Sequence, residues 1–103
     1  MTHEQALEAL ERYRVIIDDL DLRILRLLNE RAAVVENIGH VKQSVEMPIY
    51  EPKREDQVFE NVMSHNTGPL RADAVKRVYE RIIDEMRKVQ RDWMEADKKK
   101  CSS

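Results

Sequence analysis

Arg31 stands where an apolar side chain belongs, between Leu27 and Val34 on one helical seam. Burying a guanidinium there is costly unless an anion meets it. That anion is either a carboxylate of the chain, Glu30 or Glu55, or a ligand, unless the side chain snorkels to solvent. Lys42 lies eleven residues further on. Eleven residues are close to three whole helical turns, so both cations point the same way, with Cα atoms roughly 16 Å apart. Two long side chains at that spacing can clamp a small dianion. A lysine near a helix end also serves to bond the last carbonyls, and both readings stay open.

Glu55 shares the inward side of a later helical segment with Val58, Phe59 and Val62, and is flanked by Glu51 and Arg54. Glu51 suits the positive end of that helix. Glu55, on the apolar side, can accept a hydrogen bond from a hydroxyl or balance an arginine. Gln90 borders a third apolar stripe, four residues after Met86 and three before Trp93. An amide there commonly ties structure together; it can also donate to an ether oxygen without adding charge. Arg14 lies seventeen residues before Arg31, roughly 25 Å along the same helix and facing another way. The two cannot hold one small molecule within a single chain. In two antiparallel first helices, however, Arg14 of one chain lands beside Arg31 of the other, and symmetry makes two equivalent sites. In an isolated chain Arg14 is most simply a surface partner of Asp18.

The elements that must position these groups are helices. The 103 residues are 37% charged and 5% aromatic, with 2 Gly and 3 Pro. Leu, Ala, Glu, Lys and Arg dominate, a helix-forming composition of single-domain length. From about Glu4 to Gln43 there is no proline, and apolar residues recur at Leu10, Tyr13, Ile17, Leu20, Ile24, Leu27, Val34, Ile38 and Val41. Steps of three and four make a coiled-coil seam. Such a helix, about 38 residues, would be roughly 57 Å long, whereas a lone globule of this size is only about 26 Å across. The seam therefore calls for a second chain.

Pro48 and Pro52 push Met47 and Glu51 out of the helical region, and Pro52 suits the first turn of a second helix that runs to about Ser64. Asn66-Thr67-Gly68-Pro69 is a stop-and-turn cluster. A third helix runs from about Ala72 to Ala96, with Val75, Val78, Tyr79, Ile82, Met86, Val89 and Trp93 as its stripe. The expected architecture is all-α, long, short, long, with residues 1–97 as the helical domain and 98–103 as a disordered polar tail.

Net charge is −2, so nothing in bulk points to nucleic acid. The single cysteine, Cys101, excludes an intrachain disulfide, and His3, His40 and His65 form no ligand pair at metal-binding spacing. The start of the chain shows neither the basic region nor the apolar run of a signal peptide, and no apolar stretch reaches membrane-spanning length. The expectation is a cytoplasmic protein without membrane or nucleic-acid partners.

Together, Arg14, Arg31, Lys42, Glu51-Pro52-Lys53-Arg54-Glu55 and Gln90, with Leu28-Asn29-Glu30-Arg31, Ile38-Gly39-His40-Val41-Lys42 and Ile82-Ile83-Asp84-Glu85, resemble the all-helical (AroQ-type) chorismate mutases. The resemblance runs from about residue 7 to 93. It implies an intertwined homodimer of three-helix chains that rearranges chorismate to prephenate with no metal or cofactor, in phenylalanine and tyrosine biosynthesis. It further implies that Arg31 and the other chain's Arg14 bind the two substrate carboxylates. Lys42 would reach a carboxylate and the ether oxygen, Gln90 would donate to that oxygen, and Glu55 would take the ring hydroxyl with Glu51 nearby. Arg54 would support the charge balance. Two positions depart from the pattern: Met86 stands where a small hydroxyl residue is common, and Arg71 where a Ser or Asp cap is expected. An isochorismate–pyruvate lyase needs nearly the same charges. A non-catalytic helical module that dimerises or regulates an aromatic-pathway enzyme would need only the seam.

Overall fold

The protein is described from a computed structural model covering the backbone of residues 1–101 and the side chains of 1–99. Among the described residues it has three helices, α1 (His3–Ser44), α2 (Pro52–Ser64) and α3 (Ala72–Cys101). The long-short-long order matches the sequence reading, and among the described residues there is no strand. The chain divides into two compact units, Met1–Ala33 and the residues from Val34 onward.

The first unit is a single helical segment. Its start is a reciprocal cap that the sequence reading passed over: Gln5 N–H donates to Thr2 Oγ1 at 3.1 Å, and Thr2 N–H donates to Gln5 Oε1 at 2.9 Å. Each side chain satisfies a backbone donor that the first turn leaves over. The apolar seam of this unit is open, with Leu10, Tyr13, Ile17, Leu20, Ile24 and Leu27 all exposed.

In the second unit the end of α1 packs through Val35, Gly39 and Lys42, all buried. Val34, Ile38 and Val41, which the sequence places on the seam that calls for a second chain, are exposed. The 3.5-residue seam and the face used within the chain lie side by side on one helix. On α3 the buried residues are Val75, Ile83, Met86 and Gln90. Val78, expected inward, is exposed, and Ile83 rather than Ile82 is the buried isoleucine. An α-helix advances 100° per residue, so reading a stripe one position off exchanges such neighbours.

Helix α1 ends at a sharp corner. Met47 N–H donates to Lys42 O at 2.8 Å and Glu46 N–H to Gln43 O at 3.4 Å, the paired bonds of a Schellman stop. Glu46 takes the left-handed backbone at φ 57°, where glycine would be less strained. Pro52 opens α2, as its fixed φ favours. Asn66 turns the next loop, its amide donating to Leu70 O at 2.8 Å while its side-chain oxygen accepts from Gly68 N–H at 3.3 Å. Arg71 serves the start of α3 through its carbonyl, which accepts from Val75 N–H at 3.0 Å.

Helix α3 runs past the expected stop at Ala96, with Lys98 and Lys99 inside it. No Gly or Pro interrupts the Glu-Ala-Asp-Lys run, and Ala, Glu and Lys are good helix formers. The tail expected from residue 98 therefore starts within a helix, and residues 102–103 lie outside the described residues. No helix among the described residues is long and apolar enough to cross a membrane.

Candidate active site

Lys42 is the only charged residue buried among the described residues, at 8% exposure. Its ammonium does not turn back on its own helix end, the plainer reading of its position. It lies 2.8 Å from Glu51 Oε1 and donates to Ile49 O at 3.0 Å. The Schellman corner makes this reach possible by turning the chain so that residues 49–51 pass the last turn of α1. A buried lysine keeps its charge at tolerable cost only when paired in this way. An ammonium has three N–H donors; Glu51 and the Ile49 carbonyl engage two of them. Glu51 is the N-cap of α2, but its carboxylate makes no capping bond; it faces Lys42 instead.

Gln90 is buried to 7% exposure, and its Oε1 has no hydrogen-bond partner; Gln43 Oε1 is buried and unpartnered in the same way. Buried polar atoms are rarely left so. Gly39 of α1 lies directly against the Gln90 side chain, and Lys42 follows Gly39 on the same buried face. Beside them His40 meets Trp93 edge to face, centroids 5.5 Å apart. A glycine within a helix lowers helix stability by roughly 1 kcal/mol relative to alanine, so close approach to α3 accounts for Gly39.

Glu55 is half-buried on α2, and the sequence reading missed what holds it. Arg87 of α3 brings Nε to 3.0 Å from Glu55 Oε2 and Nη2 to 3.4 Å from Oε1. The Nε–H has no hydrogen-bond partner, so that contact is an ion pair without a directional bond. Arg87 Nη2 also donates to Asp84 Oδ1 at 2.7 Å, and its guanidinium lies 5.7 Å from the centroid of the Tyr50 ring. Glu55, Phe59, Glu80, Ile83, Asp84 and Arg87 line a shallow cavity of about 260 Å³. Arg87 left one sequence signal, its i,i+3 spacing to Asp84; its long-range partner left none.

The structure thus brings Lys42 to Glu51 and sets Gln90 against the buried face that carries Lys42. It gives Glu55 a cation, Arg87, different from the arginine first considered for it, and Arg54 is exposed beside it on α2. Arg14 and Arg31 belong to the first unit, Arg14 exposed and Arg31 half-buried. The ion pair found on that stretch is Arg23–Asp19 at 4.0 Å, not the expected Arg14–Asp18.

Three helices with a buried ammonium and a buried carboxamide on a shared seam make an all-α chain suited to a small anionic ligand. Residues 13–91 match the chorismate mutase type II family, and the chain belongs to that family. The bifunctional chorismate mutase/prephenate dehydratase of Aquifex aeolicus (strain VF5) is 38% identical over 81 residues, which cover 75% of this chain and 22% of that protein. The chain thus spans about a fifth of the first curated relatives it matches. The chorismate mutase of Methanocaldococcus jannaschii is 24% identical over 98 residues, covering 91% of this chain and 96% of that one. Among solved structures, the chorismate mutase from Helicobacter pylori in complex with prephenate is similar with a TM-score of 0.80 and 30% identity, covering 85% of this chain and 96% of that one.

Proposed function

We propose that this chain is a cytoplasmic chorismate mutase that converts chorismate to prephenate in phenylalanine and tyrosine biosynthesis. It works as a homodimer, with residues 1–97 as the working domain. The observation that carries this reading is Lys42: a buried ammonium, fixed by Glu51 and the Ile49 carbonyl, with Gln90 on the facing helix. The family's solved relative in complex with prephenate supports a substrate of this kind.

The rearrangement breaks a carbon–oxygen ether bond as a carbon–carbon bond forms, in one pericyclic step that needs no nucleophile and no proton transfer. Catalysis then consists of holding the dianion in its compact reactive shape and stabilising charge growing on the ether oxygen. Arg31 and Arg14 of the partner subunit suit the first task, since each guanidinium can grip a carboxylate through two parallel N–H bonds. Lys42 and Gln90 suit the second. Glu55, balanced by Arg87, accepts the ring hydroxyl, with Glu51 and Arg54 completing the charge balance.

The open seam of the first unit supports the dimer. Each Leu or Ile taken out of water contributes about 1.5–3 kcal/mol, and a second copy, related by a two-fold axis, offers the matching seam. The deciding experiment incubates the purified chain with chorismate and, separately, with isochorismate. Prephenate from chorismate is expected; salicylate and pyruvate from isochorismate, with chorismate untouched, would overturn the mutase reading.

A further inference from the structure

Gly39 sits inside α1 without the left-handed backbone that usually calls for glycine. What requires it is the approach of α3. A Cβ at this position would stand 3.3 Å from Gln90 Cγ, 3.6 Å from Trp93 Cε3 and 3.7 Å from the Gln90 carbonyl oxygen. The first distance is shorter than the 3.5–4.0 Å of an unstrained carbon contact. The atom that would have to yield is the middle of the Gln90 side chain, and Gln90 is only 7% exposed, so it has no solvent to swing into. The Gln90 carbonyl oxygen, at 3.7 Å, would be in ordinary contact, so the crowding falls on the side-chain stem.

We infer that Gly39 is a positioning residue for Gln90: bare backbone on α1 gives the glutamine stem its seat, and the seat sets where the terminal amide lies. The inference rests on the reading of Gln90 as the donor to the ether oxygen. Added bulk at Gly39 shifts the amide by a few tenths of an ångström. A preorganised donor loses most of its effect when displaced from the oxygen whose charge grows. The loss falls on the transition state rather than on binding of the ground state.

The test is steady-state kinetics and thermal unfolding of the intact enzyme carrying Gly39→Ala, Gln90→Ala, or both. Gly39→Ala is expected to lower kcat at least tenfold and to change KM less than threefold in a variant that still unfolds cooperatively, the better helix propensity of alanine offsetting part of the strain of the tight contact. In the Gln90→Ala background the Cγ is gone, and Gly39→Ala should change kcat less than twofold, the signature of two residues acting as one unit. A single variant within twofold of the parental kcat overturns the inference. So does an equal loss in both backgrounds, which marks general helix packing. If Gly39→Ala alone fails to fold, the double variant should fold again; if it does not, the close approach concerns the helices and not the amide. Near-parental kcat in Gln90→Ala alone defeats the role of Gln90 itself, and the inference with it, before Gly39 is touched.

Discussion

Arg87 and Glu55, 32 residues apart in sequence, meet between α3 and α2 with Nε 3.0 Å from Oε2. The pair is neither open to water nor sealed from it, with side-chain exposures of 33% and 19%. Asp84 and the Tyr50 ring brace the same guanidinium. The carboxylate proposed to receive the substrate hydroxyl therefore has a cation of its own, held from two further sides.

Arg87→Met should leave Glu55 half-buried and without its partner. The expected loss is about 1–2 kcal/mol of stability, between the values for exposed and for buried pairs. Urea unfolding measures it, and an unchanged midpoint would show that the pair contributes nothing to joining α2 and α3.

Lys42→Ala removes the buried ammonium and leaves Glu51 facing an apolar side chain. Turnover should fall about 10²–10³-fold, the usual effect of deleting one electrostatic donor to a developing oxyanion. Near-normal kcat in a folded variant would strip Lys42 of its role.

Ile24→Glu places a charge in the open seam of the first unit, where Ile24 is 54% exposed. Sedimentation equilibrium should show the parent at twice the 12.2 kDa chain mass and the variant shifted toward the single chain, with activity lost in parallel. A parent that sediments at 12.2 kDa would end the dimer proposal.

Arg14→Ala and Arg31→Ala chains, each inactive alone, should complement when mixed. Random assortment makes half the molecules heterodimers, and one of the two sites in each is intact, so roughly a quarter of parental activity should return. Heterodimers shown to form without recovering activity would argue against shared sites.

The three helices were legible because their signals are local: Pro48 and Pro52 end one helix and start the next, and the Asn66–Pro69 cluster separates α2 from α3. The inward faces were harder. Val34, Ile38 and Val41 follow the coiled-coil period, yet the face used within the chain is Val35, Gly39 and Lys42, because one long helix carries two apolar faces and sequence does not say which meets which neighbour. Lys42 and Gln90 stood out as polar groups in apolar company, and both are buried. Arg87 did not stand out, since a surface i,i+3 pair with Asp84 explains it fully until α2 is in place. Glu46 in the left-handed region was also invisible, because glycine is the residue that ordinarily marks such a corner.

That corner has a consequence for the chemistry. The carbonyl that closes α1 and the ammonium beside Glu51 both belong to Lys42. Were the helix to stop one residue sooner or later, the chain would leave it about 100° further round the axis and carry Ile49 and Glu51 away from the ammonium. Helix length, commonly free to vary by a residue at a surface end, is here a calibration: the punctuation of the backbone sets what the cation meets.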